Sequence, residues 1–354
     1  MTLPNINISF EKAAATAAFR SRRGVVAVIV KDATASVQGY HVFASAAQLP
    51  AAMTAVNKAY ISRCFIGGDS TVSKVLCYVL PATATDLSAA TAWLSTQKFN
   101  WLAGPYDCTA AESAELAAWI TIQRAAGRRY KAVLPNKAAD SMAIVNFATD
   151  GIVSGGVTYS AAGYCSRIAG LIAGTALDGA ITFQPLPEVT AVNQLSRSQM
   201  DTAINEGKLI ALHDGAKVKL GRGVTSLTTT AGTVEEYRKI KIVEAVDLIS
   251  EDITSLAEDS YIGRYSNSYD NKLLLVTAIG NYFKILEGEG VLKAGSSVSL
   301  DFDATSLYLK NAGVDVAALS QRELREADTG DQVFLKASIL VLDAVEDITL
   351  KISI

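Results

Sequence analysis

Two stretches of strict polar–apolar alternation, one near each end of the 354-residue sequence, restrict its architecture more than any other feature. Asn5-Ile6-Asn7-Ile8-Ser9-Phe10 puts Ile6, Ile8 and Phe10 on one side of an extended chain. Ile348-Thr349-Leu350-Lys351-Ile352-Ser353-Ile354 does the same with Ile348, Leu350, Ile352 and Ile354. A period of two marks a strand with one face meant for burial. Terminal segments ordinarily fray and are polar, so four aliphatics on one face must dock on something. One solution is local: residues 332–342 pair with 347–354 around a turn at 343–346. The other is exchange between copies, because an open strand edge is a template for another chain. Alternation at both ends favours exchange.

The length predicts two or three domains with sizeable cores. Half of the residues are hydrophobic, with 25 Gly and only 7 Pro, which is globular rather than disordered or fibrous. A net charge of −3 gives no field suited to nucleic acid or an anionic membrane. The balance hides an asymmetry. Residues 1–31 carry Lys12, Arg20, Arg22, Arg23 and Lys31 against Glu11 alone, whereas residues 301–354 carry ten acids against five bases. A basic head and an acidic tail would attract each other between copies, with Glu346 and Asp347 as candidate partners of Arg20, Arg22 and Arg23. No signal peptide is visible and no apolar run reaches membrane-span length. Cys64, Cys77, Cys108 and Cys165 are scattered, without a CxxC or a nearby His. They read as small core residues of a protein made in a reducing cytoplasm.

Punctuation by Gly and Pro predicts alternating strands and helices. Strands are expected at 24–30, 74–80, 99–103, 130–134 and 143–148, and helices at 46–60, 86–96, 110–126 and 161–173. That order implies an α/β layer whose sheet is at least partly parallel. Further on, a helix at 196–206 ends at Gly207, and a hairpin surrounds His213-Asp214-Gly215-Ala216. A strand at 237–243 is expected to run into a helix at 245–257. A helix at 273–286 and a strand at 298–302 follow.

Motifs for chemistry are incomplete. The sequence has two histidines, His41 and His213. His213 beside Asp214 could orient a general base, but no nucleophile accompanies it, and strand neighbours face opposite ways. Asp301-x-Asp303 lacks the Gly and closing Glu of a calcium loop. Gly221-x-Gly223 and Gly288-x-Gly290 do not complete a dinucleotide fingerprint, and Gly207-Lys208 lacks the upstream Gly of a P-loop. The expectation is no catalytic residue, no cofactor and no metal. The most unusual polar stretch is 261–272, where Tyr261, Arg264, Tyr265, Asn267, Tyr269 and Asn271 have the chemistry of a contact surface. The same residues would also make a hydrogen-bonded loop with Asp270 or Asn271 capping the next helix.

An ordered set of segments resembles the contractile tail sheath proteins of phages and R-type phage-tail-like bacteriocins, in the compact PBSX-prophage type. The set runs over nearly the whole chain. It comprises Leu3–Phe10, Arg23-Gly24-Val25-Val26-Ala27, Phe99-Asn100-Trp101-Leu102-Ala103-Gly104-Pro105 and Ala169-Gly170-Leu171-Ile172-Ala173-Gly174-Thr175. It continues with Leu186-Pro187-Glu188-Val189, Lys239-Ile240-Lys241-Ile242-Val243-Glu244, the 261–272 stretch and Leu342-Asp343-Ala344-Val345-Glu346-Asp347-Ile348. No single segment is diagnostic; their order is. Thr225 departs from the pattern, since relatives often carry Asn there.

The resemblance implies a multi-domain α/β sheath fold with extended N- and C-terminal β-strand arms for intersubunit strand exchange. Its expected parts are an N-terminal arm (1–22), an N-terminal α/β domain (23–98), a middle α/β domain (99–220), a C-terminal domain nearest the inner tube (221–331) and a final strand and arm (332–354). Intersubunit contacts are expected from Ile6, Ile8, Phe10, Arg20, Arg22 and Arg23 in the first arm. In the second they are expected from Glu346, Asp347, Ile348, Leu350, Ile352 and Ile354. The implied function is that of a non-enzymatic subunit stacked as hexameric rings around an inner tail tube protein, with baseplate and tail terminator partners. It binds no nucleic acid and inserts in no membrane. It would be made in the cytoplasm and leave in a phage tail or bacteriocin particle on lysis. The arms would bend near 19–23 and 343–346, and lattice relaxation rather than hydrolysis would drive contraction. Two rival readings are another self-assembling tube or shell protein, and a soluble α/β enzyme using the His213-Asp214 hairpin.

Overall fold

The computed structural model describes residues 24–229, 231–232 and 234–353. Ile6, Ile8, Phe10, Arg20, Arg22, Arg23 and Ile354 lie outside them. The described residues divide into two compact units, a larger one of 24–244 with 343–353 and a smaller one of 245–342.

The larger unit starts with β1 (Val25–Asp32), β2 (Gly39–Phe43), α1 (Ala55–Cys64), β3 (Lys74–Pro81), α2 (Ser88–Leu94), β4 (Trp101–Ala103), α3 (Ala110–Ala125), β5 (Lys131–Pro135) and β6 (Ile144–Phe147). It continues with β7 (Ile152–Ser154), β8 (Val157–Tyr159), α4 (Ala161–Gly174), β9 (Val189–Ala191), α5 (Arg197–Asn205), β10 (Lys208–Leu209), β11 (Ala211–His213) and β12 (Val218–Leu220). Seven strands form one sheet in the order β10-β6-β5-β4-β1-β3-β2, parallel throughout except for edge strand β2.

The central strand β1 is apolar at successive positions because a parallel strand is covered on both faces. Val26, Val28 and Val30 belong to the core formed with Tyr60, Ile61 and Cys64 of α1 and Ile168, Ala169 and Ile172 of α4. Val25, Ala27 and Ile29 belong to the opposite core, with Leu87, Leu94 of α2, and Leu116 and Ile120 of α3. Thr109 and Glu112 cap α3 reciprocally, and Ser160 caps α4. Every residue of α4 is buried. Its glycines permit this: a Cβ on Gly170 would stand 2.2 Å from the Cys64 carbonyl oxygen, so α4 can lie against α1 only without one. Two smaller antiparallel sheets, β8-β7-β9 and β11-β12, complete the unit.

The second unit contains most of α6 (Ile240–Ser260), then α7 (Tyr269–Gly288), β13 (Ser297–Leu300), α8 (Phe302–Asn311), α9 (Gln321–Glu326) and β14 (Leu335–Ser338). Tyr282, Phe283 and Leu286 of α7 are buried, as are Val291, Leu292 and Leu309. The Tyr282 hydroxyl donates to Asp252 Oδ2 of α6 at 2.6 Å. β13 and β14 form a two-stranded antiparallel sheet.

Four expectations need correction. The 46–60 segment is not one helix: a 3-10 turn at Ala46–Gln48 precedes Pro50, and α1 begins at Ala55. Pro50 has no N–H to continue a helix. The 237–243 segment is not a strand. Apart from a bridge between Lys239 and Val224, it is a 3-10 turn leading into α6 at Ile240. The Lys-Ile-Lys-Ile alternation is short, and Ile240, Val243 and later Leu248 and Ile249 keep helical spacing and are buried. Residues 301–326 hold two helices where none was expected, each with a side-chain cap, from Asp301 and Ser320. Residues 332–342 do not pair with 347–354. Only 335–338 is a strand and its partner is β13, while residues 347–353 belong to no strand.

Candidate assembly surfaces

The C-terminal segment is pinned at its root and bare beyond it. The Asp343 carboxylate pairs with the Lys239 ammonium. The Glu346 side chain is only 6 % exposed. It accepts a hydrogen bond from the Thr182 hydroxyl on Oε1, while Oε2 lies 3.2 Å from Lys239 Nζ and 3.6 Å from Arg222 Nη1. Arg222 Nη2 also donates to both Asp347 oxygens, at 2.6 and 2.7 Å.

Three loops supply these partners. Thr182 lies in the α4–β9 connection and accepts from the Gly223 N–H at 2.9 Å. Arg222 follows β12, and Lys239 precedes α6. The Arg222 hydrogen bond holds the Asp347 carboxyl below its usual range and raises Arg222 in turn. Partial burial alone would lower Lys239; hydrogen bonds to Asp343 and Glu346 outweigh it and raise the ammonium. Next to this cluster, burial lowers Lys241, whose Nζ donates to the Asp178 carbonyl at 2.6 Å.

Past Asp347 these ties stop. Ile348, Leu350 and Ile352 are 83, 77 and 74 % exposed. Three aliphatics on one side of an extended segment, all in water, are an unfinished packing arrangement. A second unfinished element is the β13–β14 sheet. Its register pairs Ser297 with Ser338 and Leu300 with Leu335. α7 approaches β13 where Gly280 faces Val298. Val333 and Leu340 beside β14 are exposed.

The 261–272 stretch divides between the two roles foreseen for it. Asn267 Nδ2 donates to Thr329 Oγ1, the Gly330 carbonyl and the Gln332 carbonyl at 3.0, 2.7 and 3.0 Å. Lys272 Nζ reaches Thr329 Oγ1 at 3.1 Å. These bonds tie the loop to the turn ahead of β14. Asn271 Nδ2 donates back to the Ser266 carbonyl, and the cap of α7 is Ser268 rather than Asp270 or Asn271. The Tyr261 and Tyr265 rings meet at a tilt with centroids 5.4 Å apart, and the Tyr261 hydroxyl donates to the Leu274 carbonyl. Ile262, Arg264 and Tyr265 are exposed and Tyr269 is half-buried.

The His213-Asp214 pair is turn chemistry. His213 Nδ1 accepts from the Gly215 N–H at 3.0 Å. Asp214 accepts from the Lys217 and Ala216 N–H groups and pairs with Lys219, which together hold its carboxyl well below the usual range. At the carboxyl ends of β1 and β4, a position where open α/β sheets bind ligands, the polar groups are engaged in internal bonds. Burial would raise Asp32, but hydrogen bonds from Asn57, Thr34 and Thr54 more than offset it and keep the carboxyl low. Lys31 pairs with Glu112 there, and the Tyr60 hydroxyl donates to the Gly104 carbonyl at 2.8 Å. Thr225, buried, donates to the Tyr237 carbonyl at 3.0 Å, a structural role. Among the described residues no cluster of His, Cys, Asp or Glu is arranged to hold a metal, and no helix is long and apolar enough to cross a membrane.

The exposed 348–353 run and the β13–β14 sheet are surfaces suited to contact with another chain. Residues 81–226 match the phage tail sheath protein central domain, and residues 233–354 match the phage tail sheath C-terminal domain. The tail sheath protein of Clostridium phage phiCD119 is 34% identical over 357 residues, covering 99% of each chain. The sheath tail protein of Desulfitobacterium hafniense has the same fold, with a TM-score of 0.70 at 15% identity over 86% of this chain and 94% of that one. The helical sheath of the anti-feeding prophage in its contracted state gives a TM-score of 0.69 at 15% identity, over 100% and 99%. The chain belongs to the phage tail sheath family: it is a structural subunit of a contractile tail sheath, not an enzyme. As such it is a component of a phage tail or phage-tail-like particle and assembles with copies of itself.

Proposed function

We propose that the chain polymerises as stacked hexameric rings around an inner tail tube protein and that strand exchange between subunits holds the rings together. The observation that carries this reading is the 348–353 run, alternating, exposed and outside any strand of its own chain. Its acceptor is the β13–β14 sheet of another copy, which offers open strand edges beside exposed apolar residues. The alternating 5–10 segment serves as the matching arm, with Ile6, Ile8 and Phe10 inward and Arg20, Arg22 and Arg23 towards acidic neighbours. Ile262, Arg264 and Tyr265 form a further contact.

The subunit meets the baseplate at one end of the sheath and a terminator protein at the other. Baseplate association is supported by likeness to a chain of the anti-feeding prophage baseplate, at a TM-score of 0.69. Contraction is a relaxation between two lattice packings of one nearly rigid subunit. Differences of a few kcal/mol per copy suffice when the change spreads from ring to ring. The protein is made in the cytoplasm and leaves on lysis, in a phage or in a bacteriocin particle.

Electron microscopy of the protein expressed alone tests the reading. Tubes of uniform width with six-fold end views are expected. A monodisperse globule, or a closed shell, would rule out ring stacking.

A further inference from the structure

The acids at the root of the C-terminal arm have partners already, in their own chain. Asp343, Glu346 and Asp347 meet Lys239, Thr182 and Arg222, which come from three separate loops of the larger unit. Glu346 is the most enclosed, with its side chain 6 % exposed, while Val345 and Ile348 on either side are more than four-fifths exposed. An exposed ion pair between flexible side chains contributes little. Here two cations serve three carboxylates, one pair is two-pronged and one acid is nearly buried, so the geometry is defined.

We propose that Arg222, Lys239 and Thr182 form a cis anchor that fixes where the C-terminal arm leaves its own subunit. The bend between subunit and arm then lies after Asp347, not within 343–346. Glu346 and Asp347 act inside the chain, and the intersubunit role falls to Ile348, Leu350, Ile352 and Ile354. An arm that departs from a fixed point and in a fixed direction has a higher effective concentration at its acceptor than one swinging from a loose root. This consequence for assembly rests on the strand-exchange reading; the anchor itself does not.

The first test uses the unassembled full-length protein, diluted until light scattering shows no polymer. A glutamate-specific protease should cut after Glu346 slowly in the original chain. In the double variant R222Q/K239Q cleavage is expected at least about tenfold faster, one decade in the opening equilibrium, with the melting profile unchanged. An unchanged rate would refute the anchor. The second test exchanges charges. Arg222→Asp and Asp347→Arg combined in one chain should restore both protection and tubes. Mixing a chain carrying only Arg222→Asp with one carrying only Asp347→Arg should restore neither. Rescue by the mixture but not by the combined chain would mean that the acids pair between copies, which overturns the proposal. If the original chain makes no tubes, the strand-exchange reading fails, and the protease rates still decide the anchor.

Discussion

Removing residues 348–354 is expected to yield a folded subunit that no longer polymerises. Among the described residues, 348–353 form no strand with their own chain, and Ile348, Leu350 and Ile352 are exposed. Circular dichroism and melting of the truncated protein should therefore match the full chain. Assembly should fall by orders of magnitude, because the lost contact repeats at every subunit. Docking four aliphatics yields about 1.5–3 kcal/mol each, and ordering seven residues costs about 1–2 kcal/mol each. These nearly cancel, so one arm on one acceptor binds weakly and the free subunit stays in solution. In a lattice each subunit donates and accepts at once, and effective concentration turns weak links into a strong mesh. Sedimentation velocity with electron microscopy reads the outcome. Tubes indistinguishable from those of the full chain would contradict it, as would loss of the fold.

Glu244→Ala is expected to destabilise the larger unit by about 3–5 kcal/mol, the usual cost of breaking a buried ion pair from one side. Glu244 Oε1 lies 3.0 Å from Lys131 Nζ, itself almost fully buried in β5, and accepts from Trp101 Nε1 at 3.0 Å. The substitution removes a counter-charge and a hydrogen-bond acceptor together. Against a total stability of about 5–15 kcal/mol for a domain this is a large fraction, and soluble yield should drop with it. Lys131→Met together with Glu244→Leu removes both charges and should recover most of the loss. Urea unfolding followed by tryptophan fluorescence separates the cases. A loss below about 1 kcal/mol, the scale of an exposed pair, would show that the pair is not buried in solution.

Much of the α/β layer was legible because its strands are short apolar runs stopped by Pro or Gly. The stops after Leu80 and Leu134 are Pro81 and Pro135, each the last residue of its strand. Thr109, Ser160 and Ser196 cap α3, α4 and α5 in the structure, although the helices were expected from their spacing and stops alone. Errors arose where a local pattern fits two periods. Lys239–Val243 alternates like a strand, yet its burial continues with helical spacing along α6. The short helices α8 and α9 carry mixed polar sequence and little buried surface, so periodicity did not expose them.

Several segments that carried the family resemblance are tied to distant residues by buried or part-buried hydrogen bonds. Asn100 Oδ1 accepts from the Gly24 and Val25 N–H groups. Trp101 meets Glu244. Glu188 accepts from Arg167 Nε and the Tyr164 hydroxyl at 2.7 and 2.8 Å. Such ties link residues 21 to 143 positions apart and leave no local signature. The acids of 342–348 were visible in the sequence, but their partners Thr182, Arg222 and Lys239 were not, for the same reason. Charge asymmetry between the chain ends pointed instead to Arg20, Arg22 and Arg23 of a neighbour.

The most direct test is a reconstruction of the assembled tube by electron cryomicroscopy at side-chain resolution, in the extended and contracted lattices. Residues 348–353 of one copy should run as a strand along the β13–β14 sheet of another, with Ile348, Leu350 and Ile352 buried. Asp343, Glu346 and Asp347 should remain on Lys239, Thr182 and Arg222 of their own chain in both states. A C-terminal segment folded back on its own subunit, or a seven-stranded sheet that rearranges between the two lattices, would contradict the account.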